Sequence, residues 1–332
     1  MNALARDLAG VRYRPQAVRG HVESYFLKAN DPEGARAVWL KATIFASDHD
    51  PTRAVAEAWA IAFDREHGHT AVKTWVPYES ARFSPTALDV SVASCRFTSE
   101  AWKGDIASGE RSVAFDLALG GEADPLMHFP RPFLYDAPFP STKIVSLAFD
   151  ARVSGRVVVN GASWDVSRWG ATVGHNWGRR HAPHYAWGHC NVWHEAGAAL
   201  AFEGLTARAG VGALSLPAMT LLAVRHAGRT HTLTGALSMV KNHGDVSLRR
   251  WTFGGKGQHI AIEGEMRAET DDFVGLFYAN PDGKTTHCLN SKLAHAELSV
   301  TLRGQPPMKL TSNAAALEIG TRDPMHGIRM YA

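Results

Sequence analysis

The stretch Trp169 to Trp193, WGATVGHNWGRRHAPHYAWGHCNVW, gathers the residues of this 332-residue chain best suited to chemistry. His175 and His189 are of the type that gives and takes protons near neutral pH. Asn176 and Asn191 can hold a carbonyl or hydroxyl oxygen by hydrogen bonds. Read as a strand, Tyr185 to Trp193 places Tyr185, Trp187, His189, Asn191 and Trp193 on one face. Ala186, Gly188, Cys190 and Val192 fall on the other face and are small enough to pack against a second layer. Large aromatics interleaved with His and Asn make a poor dry core, because every buried polar group needs a partner. The face reads as the wall of a cavity, apolar with a few directed polar groups. Isolated tryptophans such as Trp59 and Trp102 read more simply as core fillers.

His175, His181, His184 and His189 also raise a metal site. Zinc sites take compact ligand pairs with an ordered surround, and here Arg179-Arg180 lies among the candidates and disfavours a dication. Neither His-Glu-x-x-His nor Cys-x-x-Cys occurs. The three cysteines, Cys95, Cys190 and Cys288, lie far apart, which argues against a disulfide framework and a zinc ribbon. No phosphate-cradling glycine loop follows a strand, and Thr252 to Gly257 (TFGGKG) reads as a hairpin turn. The expectation is chemistry without metal or redox cofactor.

The elements that must position these residues are strands. Short alternating segments separated by Gly, Pro, Asn and Asp recur along the chain, as at Val38 to Phe45, Val90 to Phe97, Val113 to Leu119, Lys143 to Phe149 and Ala296 to Leu302. Turn signals such as Asn160-Gly161 and Pro281-Asp282-Gly283 lie between them. Thr52 to Glu66 is Ala-rich and tempts a helical reading, but Trp59, Ile61 and Phe63 alternate, so its second half reads as strand. This is more strands than one barrel needs. The pattern predicts an all-β protein of two antiparallel barrels, diverged in sequence because no exact repeat is present.

Composition limits the partners. Apolar residues make up 45% and charged residues 20%, enough for a sizeable core. The formal charge of +3 with scattered Lys and Arg gives no reason to expect nucleic acid. The first residues, MNALARDLAGVRYRP, lack the apolar centre of a signal peptide, and no apolar run approaches the roughly 20 residues of a membrane helix. A cytoplasmic protein is expected, with room for transient membrane contact; its oligomeric state is left open.

At Gly174-His175-Asn176-Trp177-Gly178, followed by Tyr185-Ala186-Trp187-Gly188-His189-Cys190-Asn191, the chain resembles the carotenoid 1,2-hydratase and tocopherol cyclase superfamily. Glu23-Ser24-Tyr25-Phe26 and Trp39-Leu40-Lys41 look like the opening strand pair of that group, and His287-Cys288-Leu289-Asn290-Ser291 like its closing strands. The resemblance implies two lipocalin-like barrels packed together, as in the related fungal Diels–Alderases. It places one barrel over residues 1–182 and the other over 183–332, meeting near Arg180 to Pro183 with a pocket at the junction. Carotenoid hydratases typically carry an aspartate before the His-Asn-Trp-Gly motif, and here Gly174 stands in its place. A histidinium with a pKa near about 6.5 suits a carbonyl better than an isolated alkene. The departure turns the expectation from simple carotenoid hydration toward substrates that already carry a polar, activated group.

The function expected is a cyclase, isomerase or hydratase acting by acid/base catalysis on a hydrophobic isoprenoid-like or polyketide-like molecule. His175, His189 and Glu23 are the catalytic candidates. Asn176, Trp177, Tyr185, Trp187, Asn191, Trp193 and Glu203 are the substrate-binding candidates, with the aromatic faces stabilising developing positive charge. Glu23 and Glu203 read equally well as solvated charges on strand faces. A non-catalytic carrier of a lipid or pigment would use the same pocket, since fold does not fix function. A metal-dependent hydrolase is a third alternative, distinguished by stoichiometric zinc.

Overall fold

A computed structural model describes residues 7–331 except 17–18, 123, 196 and 212–213. The first sheet opens with β1 (His21–Asn30), β2 (Arg36–Ala46), β3 (Val55–Asp64) and β4 (Thr70–Pro77). Short strands follow: β5 (Arg82–Phe83), β6 (Asp89–Val92), β7 (Cys95–Thr98) and β8 (Ala101–Ser108). β9 (Arg111–Glu122), β10 (Leu126–Met127), β11 (Thr142–Val159) and β12 (Ala162–Gly178) complete it. The second sheet starts with β13 (Tyr185–Cys190), β14 (Leu200–Val211), β15 (Leu214–His226) and β16 (Arg229–Leu233). After helix α1 (Ala236–Lys241) come β17 (His243–Val246), β18 (Arg250–Lys256) and β19 (Ile260–Arg267). The described chain closes with β20 (Val274–Ala279), β21 (Thr285–Leu302) and β22 (Met308–Thr321).

Both sheets follow one connection order. The first runs β4-β3-β2-β1-β12-β11-β9-β8-β7-β6-β5, with β10 beside β11; the second runs β16-β15-β14-β13-β22-β21-β19-β18-β17, with β20 beside β21. In each, the opening strand pairs with the closing one, β1 with β12 and β13 with β22. β4 curls over to touch β8 and β9, and β15 reaches β17 and β18, so each sheet bends round its own core. The protein is all-β, built as two lipocalin-like antiparallel barrels packed together. The structural repeat exists without a sequence repeat, because strand pairing uses backbone groups that every residue carries. Among the described residues no helix is long and apolar enough to cross a membrane.

Period-two geometry explains what lies inside each barrel and what lies between them. In β3, Ala56, Ala58, Ala60 and Ala62 face the first barrel's interior, whereas Trp59, Ile61 and Phe63 face the layer between the barrels. In β2, Val38, Leu40 and Ala42 point inward, whereas Ala37, Trp39 and Lys41 point toward the second barrel. The sequence reading of Trp59 to Phe63 as strand holds. The Asn160-Gly161 turn joins β11 to β12, both residues at positive φ (50° and 88°), the conformation a tight hairpin requires.

Three local readings are corrected. Lys143 to Phe149 is only the first part of a longer strand, β11, which runs on to Val159, bent by bulges. Thr252 to Gly257 is strand through Lys256. A Cβ on Gly254 or Gly255 would overlap the Glu263 or Asn242 side chain, so these glycines mark close approach and not a turn. The strand begun at Tyr185 ends at Cys190, which leaves Asn191 and Trp193 beyond it.

The small face of β13 turns into the second barrel, and a Cβ on Gly188 would overlap the Met266 sulfur and press on the Trp251 ring. Gly188→Val should therefore overpack that core and cost about 1–3 kcal/mol. Urea unfolding of the variant beside the parent measures it; an unchanged midpoint would show that the core gives way freely.

Candidate functional site

A cavity of about 600 Å³ lies between the barrels. Phe26 of β1, Trp39 and Lys41 of β2, Ile144 of β11 and Asn176 and Trp177 of β12 wall it from the first sheet. Tyr185 and Trp187 of β13, Leu205 of β14, Leu221 of β15, Tyr278 of β20 and Glu318 of β22 wall it from the second. The link between the sheets, Arg180 to His184, runs along it, and Phe129, Leu134 and Phe139 of the β10–β11 connection cover one side.

Four of the sequence-derived candidates line this cavity: Asn176, Trp177, Tyr185 and Trp187. The other six do not. His175 and Glu23 lie inside the first barrel, His175 Nε2 being 2.9 Å from Glu23 Oε1 and Nδ1 2.7 Å from the Leu8 carbonyl oxygen. Its ring stacks on Tyr25 at 4.0 Å. Both ring nitrogens thus face protein acceptors, and neither faces the cavity. Glu23 also accepts from the Arg12 and Tyr13 backbone N–H groups and lies 2.9 Å from His21 Nε2. Burial pushes this carboxyl up, but hydrogen bonds from His175 and His21 outweigh that and hold it at about 2.

His189 and Asn191 stitch the two sheets together. His189 Nε2 lies 2.9 Å from the Phe149 carbonyl oxygen, and burial, with Lys28 nearby, pushes the imidazole down to about 3. Asn191 donates to Asp150 (2.8 Å) and to the Ala171 carbonyl (3.1 Å), and accepts from Lys28 Nζ (3.2 Å). Trp193 donates to the Leu200 carbonyl and packs on the second barrel's core. Glu203 is fully buried and stands behind the cavity wall. It accepts from Ser146 Oγ (2.7 Å) and from Trp187 Nε1 (3.1 Å), and lies 2.8 Å from His128 Nε2. Burial raises its carboxyl, and His128, His189 and Ser146 bring it down to about 2. Glu203 thereby fixes the indole that forms the cavity's floor.

Gly174 has a steric reason. A Cβ there would overlap the Phe26 ring, so the place of the aspartate seen in carotenoid hydratases is filled by an aromatic cavity residue.

Beside Asn176 and Tyr185, the cavity's polar groups include residues the sequence reading had not singled out as substrate-binding or catalytic, Lys41, Tyr278 and Glu318. Lys41 is 4% exposed, and its ammonium stands 4.0 Å from the Tyr278 ring centre and 5.4 Å from that of Trp39. Among the described residues it makes no hydrogen bond and no ion pair. Burial lowers its pKa, and Glu318 pulls the other way. The Tyr185 and Tyr278 hydroxyls meet at the Cys288 thiol, whose sulfur is 3.7 Å from Glu318 Oε2. Burial raises both phenols and drives the thiol to about 12, so all three keep their protons at neutral pH. Burial and Lys41 push His181 down to about 3, which leaves a neutral imidazole 4.7 Å from the Tyr278 ring. Glu318 accepts from Lys292 Nζ at 2.8 Å. A signal for Lys41 existed: it shares the face of Trp39 in a strand whose other face is apolar.

Two curved antiparallel sheets thus enclose an aromatic cavity with a few convergent polar groups, in a lipocalin-like architecture. The chain belongs to the tocopherol cyclase-like family, whose model matches residues 139–321. A crystal structure of a protein described as AttH from Nitrosomonas europaea is similar with a TM-score of 0.57, at 13% identity over 93% of each chain, a likeness of fold. OccK5 (OpdH) of Pseudomonas aeruginosa aligns with a TM-score of 0.15 at 9% identity, over 91% of this chain and 96% of that one, and carries no argument. A search of curated proteins finds no match.

The depressed carboxyls have a consequence in acid. A group held at about 2 in the fold and near 4.5 when unfolded stabilises the native state above about pH 4.5 and loses that contribution as pH falls toward 2. For each carboxylate the loss is at most about 3 kcal/mol. Glu23→Gln and Glu203→Gln should each flatten the fall in unfolding free energy between those pH values. Denaturant titrations across that range check this, and a slope identical to the parent's would remove the residue from the acid response.

Proposed function

We propose that the protein is a cofactor-independent cyclase, isomerase or hydratase acting by acid/base catalysis on a hydrophobic isoprenoid-like or polyketide-like molecule. In this reading residues 1–182 and 183–332 are two lipocalin-like domains of a cytoplasmic protein, and the substrate lies between them. The observation that carries it is the Lys41 ammonium, turned into an aromatic cavity with no hydrogen bond or ion pair among the described residues, the Glu318 carboxylate acting on it only from a distance. An unpaired buried charge costs stability, so a lysine kept in that place points to a ligand that completes it.

Lys41 then meets an oxygen of the substrate, donating a hydrogen bond or a proton as negative charge develops there. Asn176 and the protonated Tyr278 hydroxyl orient the same polar end. Glu318, a carboxylate of the same cavity whose charge also acts on Lys41, takes the proton released. Trp177, Tyr185 and Trp187 shape the apolar body, and their π faces stabilise any developing positive charge. A cavity near 600 Å³ falls within the roughly 300–1,000 Å³ usual for small-molecule sites. His175, His189, Glu23, Asn191, Trp193 and Glu203 form the frame in this reading, because none of them lines the cavity and each is hydrogen-bonded to protein.

Native mass spectrometry of protein from its producing cells, followed by analysis of what the protein releases, gives the substrate. On that substrate Lys41→Met should lose about 10²–10⁴-fold in turnover while the melting temperature holds or rises, since a buried charge is removed. His175→Ala should keep turnover per folded molecule and lose about 1–3 kcal/mol of stability through its orphaned acceptors. A ligand that leaves chemically unchanged, with Lys41→Met altering affinity alone, would establish a carrier in place of an enzyme.

A further inference from the structure

The cavity's mouth lies between two apolar prongs, one contributed before β11 and one after β16. The first is the 3₁₀ turn Pro132–Tyr135 with the following loop. Leu134 and Phe139 line the cavity, while Phe133 is 65% exposed and Phe139 42%. The second is helix α1, whose Met239 lines the cavity while Leu237 and Val240, one turn apart, are 76% and 75% exposed. Single exposed apolar residues are ordinary, but several gathered round one opening form a patch that needs a partner.

The charge around that opening indicates which partner. Arg131 and Lys241 are exposed on the prongs, and Arg208, Lys284 and Arg322 are exposed on the cavity's rim. The acids near them are Asp136, Asp245, Asp282 and Asp323, Asp282 lying 3.9 Å from Lys284, so the cations remain in excess, five to four. Apolar tips set among cations match a bilayer's anionic surface, where shallow side chains enter the boundary between headgroups and chains and basic residues meet lipid charge. We propose that this face docks on an anionic lipid bilayer, so that an apolar ligand passes between membrane and cavity without crossing water. The proposal rests on the reading of the cavity as a site for hydrophobic molecules. It favours a membrane over a second protein because the exposed tips flank an opening and leave no continuous face for a protein to cover.

Sedimentation with vesicles of phosphatidylcholine alone, or of phosphatidylcholine with phosphatidylglycerol, tests it on the full chain. The parent should bind the anionic vesicles and release them as salt is raised, the sign of a screened charge contribution. The triple variant Phe133→Ser, Leu237→Ser, Val240→Ser should bind them at least about tenfold more weakly, since three apolar side chains no longer leave water. In vesicle-free solution the variant should bind the neutral fluorescent probe N-phenyl-1-naphthylamine as the parent does, because none of the three residues lines the cavity. Failure of the parent to bind anionic vesicles while it binds the probe overturns docking and spares the cavity reading. Vesicle binding without probe binding does the reverse. Equal vesicle binding by the variant, or a dimer that the variant abolishes without any vesicle binding, also overturns docking.

Discussion

A strand buried on both faces has no side on which a charged group can meet water, and the strands where the barrels touch are of this kind. β1 is buried along nearly its whole length, and β13 along all of it. Each polar side chain they carry must therefore find its partner inside the protein. Lys28 reaches Asn30 and, across the junction, Asn191 of the other half. Asn30 donates to the Lys292 carbonyl, and Lys292 pairs with Glu318 and Asn290. Burial holds the Lys28 ammonium at about 7 and lowers that of Lys292, which is the cost such groups carry even when bonded. Pairing of this kind is directional. It fixes how one sheet sits on the other where apolar contact alone would allow sliding.

That constraint separates what the sequence could reveal from what it could not. Alternation exposed the strands, because period two survives any change of partner; Trp59, Ile61 and Phe63 were legible for this reason. The junction segment was legible as a wall because aromatic side chains collect there, and Asn176, Trp177, Tyr185 and Trp187 do line the cavity. What alternation cannot say is which of two buried faces opens on space. His189 shares the face of Trp187, yet the first sheet closes over it at Phe149. His175 follows Gly174 on β12 but points the other way, into the barrel, where Glu23 and the Leu8 carbonyl take its nitrogens. Lys41 was legible only as part of an opening strand and not as a site residue, because a lysine in a strand ordinarily reads as solvent-facing, and its burial is decided by a sheet more than a hundred residues away.

The two buried carboxylates show how one residue type serves architecture twice in related ways. Glu23 gathers backbone donors from Arg12 and Tyr13, so it ties the segment before β1 across the first barrel's interior. Glu203 gathers Ser146 and His128 from the first half onto β14 of the second, and adds the Trp187 indole. Each sits near several donors, which is why burial fails to neutralise it. A carboxylate surrounded in this way is a poor base, since taking a proton would break the bonds that hold it. The same depression that makes Glu23 and Glu203 good anchors argues against either as an acid/base catalyst near neutral pH.

Lys41 is the opposite case, and the contrast gives the cavity its polarity. Where Lys28 and Lys292 are hydrogen-bonded at the junction, Lys41 has only the π faces of Tyr278 and Trp39. Cation–π contact offsets part of the lost hydration but satisfies none of the three N–H donors. An acceptor brought by a ligand would be placed near the protonated Tyr185 and Tyr278 hydroxyls, on a buried wall where each hydrogen bond is stronger than in solution. In the proposed reading this geometry would orient a ligand before any chemistry begins. Its polar end would meet Lys41, and its apolar body would be left to Phe26, Trp177 and Trp187. Arg208 and Arg322 reach the same cavity but are exposed to water, so the buried Lys41 is the cation with most to gain from such a ligand.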